Sequence, residues 1–270
     1  MKFAYSTLAC PRWTVEEAVA AAVADGYEAI EWRLADGELI GPETTSEVRR
    51  RLREVPAAHG IEVACLDTSC RVVQSSAQER AEQIEAGQRM IDMAAEIGAP
   101  FVRLFGGPLP DGVTRADILT PTAEVLRTLG AYGAARHVTA LIETHDAWSQ
   151  SADVLALLHA VASPTVKVLW DIHHTYRSGE APADSVTGLG SAIGYVHAKD
   201  GRPRADAPGG WELCLTNEGI VPLGEAFSAL KKSGYDGYIS LEWEKKWHPE
   251  IPEPEIALQQ AVPAMRSFWK

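Results

Sequence analysis

The amino-acid sequence predicts an α/β protein built as a single (β/α)8 barrel, in which eight parallel strands alternate with helices over residues 1–270. Three observations predict this fold. Apolar runs of strand length alternate eight times with segments of helix length, the chain of 270 residues suits a closed barrel, and the loops that follow strands are longer than those that follow helices. A doubly wound open sheet is the competing fold, but it usually has fewer strands and gives no reason for polar residues at many strand ends.

The predicted strands are short runs rich in β-branched and aromatic residues, the composition expected of strands in a buried sheet. In chain order they are Phe3–Leu8, Ala29–Arg33, Ile61–Leu66, Phe101–Phe105, the run that begins at Val138, Val166–Trp170, Tyr195–Ala198 and Tyr238–Trp243.

The predicted helices have recognisable start and stop signals. Thr14 and Glu17 have the spacing of a capping box, and Gly26, Gly60 and Gly98 follow the first three helices. No change of composition marks a linker, so we expect one domain over residues 1–270. The helices are Thr14–Ala24, Pro42–His59, Ala77–Ile97, Arg115–Arg136, Ser151–Ala162, Ala183–Ser191, Leu223–Lys232 and Pro254–Phe268.

The overall charge excludes some classes of partner. Twenty-five basic and 37 acidic residues leave a net charge of −12, which repels nucleic-acid backbones and anionic membranes. Four cysteines without a CxxC spacing are typical of reduced thiols, and the amino terminus enters a strand pattern directly, without the apolar segment of a signal peptide. We therefore expect a cytoplasmic protein with a small-molecule substrate.

Four predicted strands from the second half of the chain end in acidic residues or histidines. Because side chains on a strand alternate between its two faces, residues two apart point the same way. The carboxyl ends of barrel strands meet at one face, so these side chains are expected to converge there. The pairs are Glu143 with His145, Asp171 with His173, His197 with Lys199, and Glu242 with Glu244.

Glu143, Asp171, His197 and Glu242 together predict a site for one divalent metal ion. Any one of them alone is more simply a hydrogen-bonded polar group, but three carboxylates and one imidazole suit Mn²⁺ first, with Mg²⁺, Co²⁺ or Zn²⁺ as alternatives. An ion there would polarise the carbonyl of a hydroxy-ketone or sugar. Glu143, Glu242 or His145 could each remove the neighbouring proton as the catalytic base.

The sequence resembles the xylose isomerase-like TIM-barrel superfamily, the sugar phosphate isomerase/epimerase group, over nearly its whole length. The resemblance implies that the four residues above hold the metal, that Glu143 and Glu242 are acid and base, and that His174 contacts substrate. The arginine that the group's ketose epimerases place six residues after the metal histidine is absent, because position 203 is proline. The resemblance rests on the segments Leu141–His145, Asp171–His174, Val196–Asp200, Glu218–Pro222 and Gly234–Glu244.

His145 supports an alternative within the same superfamily. A histidine two residues after the metal glutamate resembles the metal-dependent subunit of C-glycoside deglycosidases, lyases that eliminate an aglycone from a 3-oxo-glycoside. That resemblance implies His145 as the base and a small β-sandwich partner subunit, whereas the isomerase hypothesis carries an expectation of a homo-oligomer. Elimination and isomerisation share their first step, loss of a proton beside a carbonyl, so the two hypotheses stay open here.

Other residues are weaker candidates for contact with substrate. Lys199 could hold an oxyanion, Arg103 could reach the barrel mouth, and Trp243 could stack on a sugar ring as one of several tryptophans near strand ends. Strand alternation places Glu31 and Arg33 at the mouth as well.

The sequence disfavours two further functions. A non-catalytic sugar-binding subunit is disfavoured, because binding alone needs no acid–base pair. The DNA-repair endonucleases of the same superfamily are disfavoured, because the sequence pI is about 5.1.

Overall fold

Eight parallel strands form a closed barrel in the computed structural model, which describes all 270 residues apart from the side chain of Pro208. Each strand pairs with the strands before and after it in the chain, and the first pairs with the last. The predicted (β/α)8 barrel is confirmed. The strands are β1 (Lys2–Ser6), β2 (Ala29–Trp32), β3 (Glu62–Arg71), β4 (Phe101–Phe105), β5 (Thr139–Glu143), β6 (Val166–Asp171), β7 (Ile193–Ala198) and β8 (Tyr238–Leu241).

Helices surround the barrel, and most begin and end within two residues of the predicted bounds. The Thr14–Glu17 capping box is present, and Gly26 ends the first helix in the left-handed conformation that glycine adopts without strain. The helices are α1 (Val15–Asp25), α2 (Ser46–Ala58), α3 (Ala77–Ile97), α4 (Arg115–Ala134), α5 (Ser151–Val161), α6 (Ile172–Arg177), α7 (Pro182–Leu189), α8 (Leu223–Ser233) and α9 (Pro254–Phe268).

Apart from short 3₁₀ turns, the structure contains three elements that the sequence pattern did not predict. The first is α6, which is too short for a periodic signal and begins where the Asp171 side chain accepts a hydrogen bond from the His174 backbone N–H at 2.7 Å. The other two are β-hairpins within the loops after β2 and β7, one pairing Leu34–Ala35 with Glu38–Leu39 and the other Asp200–Pro203 with Trp211–Cys214. Each lies at the carboxyl-terminal face of the barrel.

The barrel interior is divided into an apolar half and a polar half. The apolar half is filled by residues that lie two positions before the polar ones on the same strands, such as Leu141, Leu169 and Tyr195. Beyond them, Glu143, Asp171 and His197 point into the same interior from the carboxyl ends of their strands, as alternation requires. The apolar half therefore closes the bottom of the barrel, and the polar half forms a site open toward the loops.

One buried carboxylate fixes the long loop after β7. Asp200 accepts hydrogen bonds from the backbone N–H groups of Gly201, Asn217, Gly219 and Val221 at 2.8–3.1 Å. A Cβ at Gly219 would lie 2.1 Å from Asp200 Oδ1, so only glycine allows this approach. The loop is thus tied to the barrel mouth at both of its ends. Among the described residues, no helix combines the length and the apolar composition that crossing a bilayer requires.

Candidate metal centre

The four predicted metal ligands meet at the carboxyl-terminal face of the barrel. Glu143 and Asp171 are the last residues of β5 and β6, His197 is the fifth residue of β7, and Glu242 follows β8 directly. One ligand atom from each of the four lies within 4.8 Å of the others. The distances from His197 Nδ1 are 3.3 Å to Glu143 Oε1, 3.4 Å to Glu242 Oε1 and 4.0 Å to Asp171 Oδ2.

Several polar atoms of this cluster are buried and unsatisfied. Glu143 Oε1 and Oε2, Asp171 Oδ2 and His197 Nδ1 form no hydrogen bond with the described residues, although Asp171 Oδ2 and Glu143 Oε2 face the charged groups of Lys199 and Arg103. A buried polar atom without a partner is costly, so a group of them aimed at one point is best explained by a bound species. The donor set, three carboxylates and an imidazole nitrogen, fits a divalent cation.

The electrostatics of the cluster also favour an added positive charge. Burial by itself lowers the pKa of His197, but Glu31 and Glu242 outweigh it and raise that pKa well above the usual value. Burial raises the pKa of Asp171 to about 6, although Lys199 opposes the shift. The neighbouring carboxylates raise the pKa of His197, and Glu242 and Glu143 add to the effect of burial on Asp171. A divalent ion would offset this excess of buried negative charge.

Glu31 orients the histidine from the other side of its ring. His197 Nε2 lies 3.0 Å from Glu31 Oε2. Because a carboxylate only accepts hydrogen bonds, Nε2 carries the proton and Nδ1 faces the cluster. The sequence placed Glu31 at the mouth by alternation, but this pairing with His197 was not predicted. It is the arrangement in which a carboxylate fixes the tautomer of a metal-binding histidine.

Replacing Glu31 with Gln is therefore expected to weaken metal binding without abolishing it. We expect the affinity for Mn²⁺ to fall about 10- to 100-fold. The Glu31 carboxylate fixes the His197 ring and increases its basicity, and the variant loses both effects. Calorimetric titration with Mn²⁺ measures the change. Glu28→Gln is the matched control, because Glu28 bonds the Phe3 backbone N–H instead; equal affinities for Glu31→Gln and wild type would contradict the role given to Glu31.

Lys199 is a buried member of the cluster and is not exposed to solvent. Its Nζ lies 3.0 Å from Asp171 Oδ2 and 2.6 Å from Glu244 Oε1, and it also donates to Glu242. Burial lowers the pKa of Lys199, but the carboxylates of Asp171 and Glu242 outweigh it and raise that pKa well above the usual value. Lys199 is therefore a charged ammonium beside the four candidate ligands. Its predicted contact with substrate remains a prediction.

His145 and His174 form the wall next to the cluster. Their rings are edge to face with centroids 4.3 Å apart, and His145 Nδ1 lies 3.0 Å from Asp146 Oδ1. Burial lowers the pKa of His145, but Asp146 and Glu143 outweigh it and the net shift is upward. His174 is neutral, because burial and the nearby Lys199 hold its pKa well below the usual value. A histidine that can exchange a proton thus lies beside one that only forms hydrogen bonds.

A cavity of about 410 Å³ opens above the cluster, within the roughly 300–1,000 Å³ range of small-molecule sites. Glu242, Arg103 and His145 line it. Arg103 is buried, with Nη2 3.2 Å from Asp67 Oδ2 and Nη1 3.3 Å from Glu143 Oε2. Arg103 therefore supports a candidate ligand from beneath and also reaches the cavity, as alternation predicted.

Trp243 requires a correction, because the structure places it away from this cavity. It follows Glu242 and so points to the opposite face of the barrel wall, where it packs in the core and donates a hydrogen bond to the Pro252 carbonyl at 3.0 Å. Its predicted contact with substrate is inconsistent with this position. The tryptophan that does line the cavity is Trp247, whose side chain is about half exposed.

Solved structures with the same fold cover nearly the entire chain. The IOLI protein with a bound zinc atom is 18% identical, with a TM-score of 0.83 over 100% of this chain and 98% of that chain. The probable 3-DHS dehydratase AsbF from Bacillus anthracis is 20% identical, with a TM-score of 0.78 over 100% and 99%. The D-psicose 3-epimerase from Clostridium cellulolyticum H10 is 13% identical, with a TM-score of 0.81 over 100% of both chains. At these identities the likeness establishes the fold alone.

A comparison of the sequence with proteins of curated function yields no match. The model of one protein family, described as the xylose isomerase-like TIM barrel, matches residues 19–267. The match includes all four candidate metal ligands and every strand of the barrel after β1. The chain belongs to the xylose isomerase-like TIM barrel family.

Proposed function

We propose that this protein is a divalent-metal-dependent enzyme that removes a proton next to the carbonyl of a keto-sugar or sugar derivative, giving isomerisation or epimerisation. The observation that carries the proposal is the set of buried ligand atoms of Glu143, Asp171, His197 and Glu242 that converge on one point. Those of the first three residues include atoms without hydrogen-bond partners among the described residues. Solved structures with this fold include proteins named as 3-epimerases of D-allulose and L-ribulose, which is consistent with the proposed reaction.

One divalent ion, Mn²⁺ by our expectation, with Mg²⁺, Co²⁺ or Zn²⁺ as alternatives, would supply the Lewis acid that stabilises the enolate. The protein supplies the rest. Glu143 and Glu242 reach the cluster from β5 and β8, on either side of His197, as an acid–base pair requires. Burial raises the pKa of Glu242, but Lys199 and His197 outweigh it and keep the carboxylate ionised, which is the form that a general base requires. His174 is neutral and packs against His145 of the cavity wall, where it can hold a substrate hydroxyl.

The second candidate is a lyase that cleaves 3-oxo-glycosides by β-elimination, with His145 as the base. The observation that favours it is the position of His145 on the cavity wall, with a pKa raised through Asp146 and Glu143. Its ring lies outside the four-residue cluster, so a histidine base would be free of any metal ligation. This candidate carries the further proposal of a small β-sandwich partner subunit, whereas the isomerase proposal is compatible with a homo-oligomer.

Proton exchange in heavy water distinguishes the two reactions. Mn²⁺-loaded protein is incubated in D₂O with free ketoses (D-fructose and D-tagatose) and with an aryl 3-oxo-glucoside. We expect NMR to detect exchange of the C–H next to a ketose carbonyl, with no release of aglycone. Release of aglycone would favour the lyase over the isomerase. If none of these compounds shows exchange or release, the result would contradict proton abstraction.

Replacing His145 with Ala identifies the base. If a glutamate is the base, as we propose, His145→Ala retains ketose exchange to within several-fold and binds Mn²⁺ as wild type does. If His145 is the base, the loss is about 100-fold or more at unchanged metal content. His159→Ala is the matched control, because His159 lies in α5 and not on the cavity.

A further inference from the structure

Arg33 is a buried guanidinium that faces the cavity. It follows β2 directly, its residue is 5% exposed, and it lines the same cavity as Glu242 and His145. Its Nη2 donates to the Ser69 hydroxyl at 2.9 Å and its Nη1 to the Asp67 carbonyl at 3.5 Å. Both acceptors are neutral. Among the described residues, no carboxylate lies within 4.0 Å of the Arg33 guanidinium, so its positive charge is not paired.

The neighbouring Arg103 shows how a buried arginine is otherwise accommodated in this barrel. Its guanidinium is paired with Asp67 and Glu143. Burial and the proximity of Arg103 lower the pKa of Arg33 to about 10, and the more distant carboxylates of Asp67, Glu242 and Glu143 act in the opposite direction without offsetting the shift. Removing a guanidinium from water without an anionic partner is unfavourable, and such groups are normally paired. The missing partner is the feature that requires an explanation.

The net negative charge of the chain makes a buried, unpaired arginine in the cavity more unusual. The protein carries a net charge of −12, and an anionic ligand is repelled by most of its surface. Within the cavity, however, Arg33 and Arg71 lie with Ser69 along one wall, and the Arg71 residue is exposed at the rim. Arginine binds carboxylates and phosphates through two parallel hydrogen bonds, a geometry that a neutral hydroxyl cannot reproduce.

We infer that the substrate is an anionic sugar derivative, whose carboxylate or phosphate pairs with Arg33 while its carbonyl end lies at the Glu143–Asp171–His197–Glu242 cluster. The inference rests on the proposed function for the position of the reacting end. It narrows the substrate class from keto-sugars in general to those with an acidic group. Arg33 is the residue that selects them, and Ser69 holds its guanidinium in place.

Binding of three related sugars tests the inference. D-glucuronate carries a carboxylate, D-glucose 6-phosphate a phosphate and D-glucose neither, and calorimetry measures each dissociation constant with Mn²⁺-loaded protein. We expect at least one anionic sugar to bind tenfold or more tightly than D-glucose, and the preferred one identifies the acidic group. In Arg33→Gln that preference disappears while the affinity for D-glucose stays unchanged. Equal binding of the three sugars by wild type, or an equal loss for all three in the variant, would overturn the inference.

Two further variants make the test independent of the folding of Arg33→Gln. Ser69→Ala removes the hydroxyl that Nη2 donates to and is expected to weaken the preferred anionic sugar several-fold, with D-glucose unchanged. Arg89→Gln removes the same charge from the surface of α3, where Arg89 pairs with Glu43, and is expected to keep the full preference. If Arg89→Gln loses the preference for the anionic sugar, the preference arises from net charge. If Ser69→Ala and Arg33→Gln both keep it, another residue is responsible. Either result would overturn the inference.

The same titrations in chelator-treated protein separate this inference from the proposed function. Without a metal ion, an anionic sugar cannot ligate the ion, so a remaining preference that Arg33→Gln abolishes reports Arg33. A preference that depends on Arg33 in a protein that binds no metal would support the anion site and refute the metal-dependent enzyme. A metal-binding protein without the preference would refute the anion site alone.

Discussion

Replacing Glu143 with Gln is expected to lower the rate of ketose proton exchange by at least about 10³-fold, because one change removes both a metal ligand and a member of the acid–base pair. Glutamine has nearly the same shape but no negative charge, so it can neither hold the cation firmly nor accept the proton. The variant also leaves Arg103 Nη1, 3.3 Å from Glu143 Oε2, without its charged partner on this side. The rate is measured by NMR in D₂O with saturating Mn²⁺.

Glu62→Gln is the matched control for Glu143→Gln. Glu62 is also a strand glutamate, but it is the first residue of β3, at the opposite end of the barrel, where it pairs with Lys2 and Tyr238. Its replacement is expected to leave the exchange rate within about twofold of wild type. A Glu143→Gln variant that keeps the wild-type rate would show that neither the metal nor the acid–base role belongs to this residue.

Replacing Lys199 with Met is expected to have the largest effect on stability. Lys199 is almost fully buried, and its ammonium contacts Asp171, Glu242 and Glu244. Removing one partner of a buried ion pair leaves uncompensated charge and costs about 3–5 kcal/mol. For a chain of this size we expect the metal-free protein to melt about 10 °C lower, measured by circular dichroism.

Addition of Mn²⁺ to Lys199→Met is expected to restore much of this loss, because a divalent ion neutralises the carboxylates that lost the ammonium. Lys245→Met is the matched control. Lys245 is also buried, but it donates to the carbonyls of Pro249 and Ile251 and pairs with Glu253, outside the cluster. That variant is expected to be destabilised without recovery by Mn²⁺. Equal recovery in both variants, or none in Lys199→Met, would contradict the placement of the ion beside Lys199.

The four candidate ligands could be predicted from the sequence because strand ends and side-chain alternation are local patterns. An apolar run that stops at Glu143 or at Asp171 gives both the end of a strand and the face of the residue. Alternation also contained the correction for Trp243, since a residue next to the inward-pointing Glu242 must point outward. The aromatic character of Trp243 does not by itself indicate contact with substrate, because its position on the strand points it outward.

The partners of these residues could not be predicted, because they depend on how side chains from distant strands meet. Glu31 and His197 are 166 residues apart, and their hydrogen bond follows from the closure of the barrel. Lys199 carries no sequence signal that distinguishes an exposed lysine from one buried among carboxylates. The short helix α6 depends on a side-chain cap at Asp171, which a periodic pattern of six residues does not reveal.

The central claim is that one cation binds where Glu143, Asp171, His197 and Glu242 converge, and metal analysis tests it most directly. Protein purified without chelator and incubated with Mn²⁺ is desalted and its metal content is measured by mass spectrometry. We expect close to one ion per chain in wild type and in Glu62→Gln, and little in Glu242→Gln, because the variant loses a charged ligand. Wild-type protein that retains no divalent metal, or Glu242→Gln that retains as much as wild type, would contradict the claim.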